Sequence, residues 1–144
     1  MTPRGEIFEP ACALSDEIVE DPMIEGTLIG ESVRVDRPLE GITLTVVKVS
    51  RGDVGDIDAG QPLRWTFIEF AAYEDDADTF AVALSGCLDP QGGWYCHFRT
   101  DTETFVVFAD RIFRYPRGNR EGRLEVEAYG RTVGVPEAEL DWPE

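Results

Sequence analysis

Apolar positions in this chain recur at intervals of two more often than at intervals of three and four, the spacing of strands rather than helices. Ile42–Val49 is dense in β-branched residues (Ile42, Thr43, Thr45, Val46, Val47, Val49), which fit a pleated surface, and predicts a strand. Leu63–Tyr73 predicts another. Leu63, Trp65, Phe67, Glu69 and Ala71 fall on one face, and Arg64, Thr66, Ile68, Phe70 and Ala72 on the other. Apolar side chains on both faces mark a strand covered from two sides. Trp94–Arg99 alternates Trp94, Cys96 and Phe98 against Tyr95, His97 and Arg99, and Phe105–Phe108 is a continuous apolar run suited to a buried strand. Thr79–Ser85 reads as a short apolar strand and Ile112–Tyr115 as extended. Arg123–Tyr129 sets Leu124, Val126 and Ala128 against Glu125, Glu127 and Tyr129, the cleanest half-buried strand pattern in the chain. Thr27–Val35 alternates more loosely.

Turn residues separate these runs at Asp36–Gly41, Ser50–Pro62, Glu74–Asp78, Asp89–Gly93, Thr100–Thr102 and Pro116–Asn119. Many short strands broken by turns predict a mainly β fold: an antiparallel meander forming a small sandwich or barrel, with at most one or two short helices, and α+β as the alternative. At Ala11–Glu20 the pattern allows a short helix, with Ser15 before Asp16 and Glu17 and Pro22 after it, or else a loosely attached arm. A last helical turn is expected at Val135–Leu140, with Pro136 at its first position. Residues 1–26 then read as an N-terminal arm or short helix, and residues 27–144 as a single β-rich globular domain of ordinary size.

Charge narrows the function classes. The 29 acidic and 13 basic residues give a net charge of −16. Such a body repels phosphates, which argues against nucleic acid and against an anionic membrane surface, and it speeds encounter with a basic protein partner. No run of 18 apolar residues and no basic-then-apolar leader at Met1–Ala13 is present, so the chain reads as cytoplasmic. Twelve arginines against Lys48 alone suggest a GC-rich, bacterial source. Within the C-terminal part, Arg111, Arg114, Arg117, Arg120 and Arg123 face only Glu121. On an acidic body this stretch reads as intramolecular pairing with carboxylates, or as an edge for self-association.

Candidate chemistry is sparse. His97 is the single histidine and the one side chain that titrates near neutrality unaided. With Arg99 and Trp65 it marks a candidate pocket, or else a plain edge histidine. One histidine makes no multi-histidine metal site, and Cys12, Cys87 and Cys96 lack zinc spacing, so neither metal nor cofactor is expected. If the Asp89–Gly93 turn closes a hairpin, Cys87 lands opposite Cys96, as a cross-strand disulfide or, in a cytoplasmic protein, as a reduced pair. Cys96 and His97 are adjacent on a strand and point to opposite faces, which rules them out as a nucleophile–base couple. Asp53, Asp56 and Asp58 fail as a calcium loop, because Gly60 takes a ligand position and Phe67 stands where the bidentate glutamate belongs.

Three functional readings follow. The first is a non-catalytic acidic protein-binding module, inhibitor-like or immunity-like, contacting a basic partner through Glu69, Glu74, Asp75, Asp76 and Asp78 with Trp94 or Tyr95 as anchors. The second is a small-molecule-binding β-barrel or simple enzyme with a pocket near His97. The third is a structural or self-assembling subunit using the Arg111–Arg123 edge.

Overall fold

A computed structural model describes residues 23–54 and 61–143. Six strands form one sheet in the order β2-β3-β1-β4-β5-β6, with every pairing antiparallel. The strands are β1 (Met23–Ile29), β2 (Thr45–Asp53), β3 (Arg64–Tyr73), β4 (Cys96–Arg99), β5 (Glu103–Phe108) and β6 (Arg111–Pro116). Helix α1 (Ala77–Cys87) joins β3 to β4, and α2 (Arg120–Thr132) follows β6. The mainly β, antiparallel class expected from the pattern is what the chain adopts. Its strands share a single sheet, and the two helices pack against opposite faces of it.

The topology explains why α1 is needed. β3 and β4 both pair with β1 and therefore run in the same direction, so their connection must cross over β1. A helix is the usual crossover between like-directed strands. α1 buries Ala77, Phe80, Ala81, Leu84 and Cys87, a helical spacing of three and four. These meet Ile24, Leu28, Phe70, Phe98, Phe105 and Val107 of the sheet. The rings of Phe70, Phe80, Phe98 and Phe105 follow one another at centroid distances of 4.9, 5.3 and 4.7 Å.

On the other face, α2 and the C-terminal segment close over β5 and β6. Val106, Phe108 and Tyr115 pack there against Val126, Val135, Leu140 and Trp142. Trp142 Nε1 donates to Tyr115 Oη at 2.8 Å, so both polar tips are satisfied inside the cluster.

Two expected strands are helices. Thr79–Ser85 lies within α1, and Arg123–Tyr129 lies within α2. Seven residues of alternation mimic a strand, but over the full length of α2 the buried positions are Val126 and Gly130, one helical turn apart. Asn119, at the end of the turn signal Pro116–Asn119, is the N-cap of α2, its Oδ1 accepting from Gly122 N at 2.7 Å. Cys87 consequently ends a helix rather than facing Cys96 across a hairpin. Both thiols are free and buried in the α1-side core.

Other boundaries moved less. β2 starts at Thr45 and runs on to Asp53, inside the stretch read as loop, while Ile42 and Leu44 lie before it and pack on the α1-side core. β1 begins at Met23, so residues 23–26, assigned to the arm, belong to the sheet. The short helix or arm expected at Ala11–Glu20 and the loop residues Asp56 and Asp58 lie outside the described residues. Among the described residues, no helix is long and apolar enough to cross a membrane.

Candidate functional site

α2 spans only part of its face, and over β1, β3 and β4 that face carries a cleft. Side chains there come in rows set by strand register, because alternate residues share a face and paired residues sit side by side. Phe67 of β3 pairs with Ile29 of β1. Glu69, Thr27 and His97 form the next row, and Ala71, Glu25 and Arg99 the third.

The C-terminal segment makes one wall. The Tyr95 hydroxyl donates to the carbonyl of Glu139. Arg123 Nη1 donates to the Trp142 carbonyl at 2.9 Å, and its guanidinium lies 4.4 Å from the Trp142 ring centre. Gln61 Nε2 donates to Gly92 O at 2.6 Å and to Glu139 Oε1 at 3.3 Å, joining this wall to the Gly92–Trp94 turn. Buried Leu140 and Trp142 anchor the segment from below.

The result is two joined hollows. The first, about 280 Å³, is walled by Trp65, Phe67, Trp94, Tyr95 and Ile29, with Thr27 and His97 on its floor and Ala138, Glu139 and Asp141 on its rim. Trp65 and Trp94 are in contact, with ring centres 5.2 Å apart. Among the described residues, no lysine or arginine lines this hollow. The second, about 440 Å³, shares Thr27 and His97 and continues past Glu25, Glu69 and Arg99 to Val47 and Pro143. Val47 reaches it at a β-bulge between Val46 and Lys48.

His97 is electrostatically unusual. Burial, with a smaller push from the Arg99 guanidinium, lowers its pKa to about 4, while Asp141 opposes and Arg123 adds to the lowering. The ring is neutral at physiological pH and offers one N–H and one lone pair. Burial, followed by the charges of Asp141 and Glu139, raises the Tyr95 phenol far above its ordinary range, so it remains a donor. Cys96 lies on the α1 side, fully buried, with its thiol pKa pushed up by burial, and makes no couple with His97. Among the described residues, no group of three or more His, Cys, Asp or Glu could hold a metal ion.

The pocket candidates Trp65, His97 and Arg99 do share one concave surface. The partner-contact candidates divide. Trp94 and Tyr95 are walls of the first hollow, and Trp94 is 8% exposed, too buried to project as an anchor. Glu69 lines the second hollow, 3.9 Å from Lys48. Glu74, Asp75 and Asp76 precede α1, and Asp78 sits in its first turn, bonded at 2.7 Å to Arg114, whose guanidinium lies over Phe105 on the opposite face. Four arginines of the Arg-rich stretch, Arg111, Arg114, Arg117 and Arg123, have partners within the chain. Arg114 also meets Glu103 at 2.6 Å, Arg117 donates to Thr100 O at 3.2 Å, Arg123 bonds Glu127 at 2.8 Å, and Arg111 covers the Phe113 ring at 4.5 Å.

Glu25, Thr27, Ile29, Glu139 and Asp141 escaped the sequence reading. The first three share a strand parity that was readable in principle. The last two arrive through tertiary packing of Leu140 and Trp142, and no local pattern announces that.

Comparison with protein-family models, curated proteins and solved structures finds no match for this chain.

Proposed function

We propose that this protein is a non-catalytic acidic binding module that holds a cationic group of a basic partner in the aromatic hollow beside His97. One observation carries the reading: the hollow is walled by aromatic rings and rimmed by Glu139 and Asp141, with no lysine or arginine among the described residues lining it. A cation over aromatic faces gains about 0.5–2 kcal/mol, more as it is desolvated, and nearby carboxylates add to that. The neutral His97 ring keeps positive charge out of the floor. The net charge of −16 draws a basic macromolecule toward the site before contact.

The aromatic hollow itself, about 280 Å³, is of a size that one long side chain fills. A small apolar amine is the second reading, supported by the same concave aromatic surface next to His97. Free thiols at Cys87 and Cys96 fit a reducing compartment such as the cytoplasm.

Titration with Nα-acetyl-arginine amide, followed by tryptophan emission, tests the reading. Emission is expected to change saturably, with affinity falling as salt rises and falling severalfold in an Asp141→Asn variant. An unresponsive emission, or an equal response to Nα-acetyl-glutamate amide, overturns it.

A further inference from the structure

We infer that the cationic group arrives on an extended peptide lying lengthwise over β1, with basic side chains at every second position. The inference rests on the reading above and specifies its partner. The two hollows adjoin along β1, with Thr27 and His97 lining both, and together make up a trough. From Ile29 to Glu25 the trough follows β1 for about 13 Å, at about 3.3 Å per residue, the length of a short extended segment.

A strand-like peptide shares the two-residue repeat of the sheet beneath it. Its sheet-facing side chains therefore fall on successive rows of that sheet. One row ends at the aromatic hollow with Glu139 and Asp141 on its rim; farther along stand Glu69 and Glu25. Among the described residues the trough thus carries four carboxylates against two cations, Arg99 at 3.7 Å from Glu25 and Lys48 at 3.9 Å from Glu69, a net negative charge that complements a basic peptide. Arginine suits the aromatic end better than lysine, because its planar guanidinium stacks on rings and forks toward carboxylates.

Strand addition is not available at this place, because β1 is hydrogen-bonded on both sides, to β3 and β4. The peptide backbone must find partners on the face itself. Thr27 and His97 are cross-strand neighbours in the middle of the trough. The His97 ring makes no hydrogen bond among the described residues, and its one donor and one acceptor match the carbonyl and N–H of a peptide unit. The second basic side chain then reaches Glu69 or Glu25.

Isothermal titration of the full chain with Ac-Arg-Ala-Arg-Ala-amide, its permutation Ac-Arg-Arg-Ala-Ala-amide and Nα-acetyl-arginine amide tests the inference. The alternating peptide is expected to bind about tenfold tighter than either of the others, the gain from one further charge-assisted contact. Glu69→Gln with Glu25→Gln is expected to abolish the roughly tenfold advantage of the alternating peptide over the capped arginine. Equal affinity for the two peptides, or no gain over the capped arginine, overturns the extended-peptide inference while the single-cation reading stands. Absence of binding by all three overturns both.

Discussion

Gly26 of β1 lies against Phe98 of β4 with no room for a methyl group between them. A Cβ at Gly26 would stand 2.8 Å from Phe98 Cβ and 2.9 Å from Phe70 Cζ. The missing side chain lets the two rings close over β1 and join the row that α1 covers. Gly26→Ala is expected to destabilise the fold by about 1–3 kcal/mol, the cost of overpacking a filled core. Urea unfolding checks this, and an unshifted midpoint would mean β1 is not clamped between β3 and β4 as described.

The wall of the trough depends on Tyr95. Tyr95→Phe removes the donor to the Glu139 carbonyl while keeping the ring. The expected loss is about 1 kcal/mol of global stability. Hydrogen exchange should quicken at the Leu140 amide, which bonds the Glu137 carbonyl within the same segment. Unchanged exchange there would show that the segment is held by Leu140 and Trp142 alone.

His97 makes stability depend on pH in a definite direction. Unfolded, the ring titrates near 6.5; folded, burial holds its pKa at about 4. Between those values the unfolded chain carries a proton that the folded chain lacks. Stability therefore falls as pH drops through this window, and above 6.5 the residue makes no difference. The loss is on the order of 2–3 kcal/mol at about 1.4 kcal/mol per unit, reduced by the ring's partial exposure. His97→Gln removes this term, so the wild type should lose more stability than the variant between pH 7 and pH 4.5. Parallel losses would contradict the buried, neutral assignment.

Asn119 tests the helix that the sequence pattern hid. Asn119→Ala is expected to cost about 1 kcal/mol, and Asn119→Asp to keep most of the stability, because either native or aspartate oxygen caps Gly122 N. Thermal unfolding of the two variants distinguishes this cap from a simple turn, for which the alanine variant would be neutral.

The contrast between legible and hidden elements has a physical pattern. β3 could be read face by face, because an inner strand packed on both sides carries large side chains at both parities: Trp65 and Phe67 toward the trough, Ile68 and Phe70 toward α1. α1 was missed because it is short and apolar, and in Thr79–Ser85 a buried helix and a buried strand look alike. Only a window out to Ala77 and Cys87 exposes the spacing of three and four. α2 was missed because glutamates happen to alternate with Leu124, Val126 and Ala128, although Leu124 and Ala128 are exposed. His97 and Trp65 stand out in the sequence by their chemistry, and strand register puts them on one surface. Glu139 and Asp141 joined them through burial of two residues in a segment whose own pattern predicts only a helical turn.

The most direct test of the cationic-partner account is amide and indole chemical-shift mapping of the protein with Ac-Arg-Ala-Arg-Ala-amide, at low and at high salt. The account expects the largest shifts at Thr27, Trp65, Trp94, His97 and Asp141, shrinking as salt rises. Shifts centred instead on Glu74–Asp78 across the sheet, or an equal effect from an acidic peptide of the same length, would contradict it.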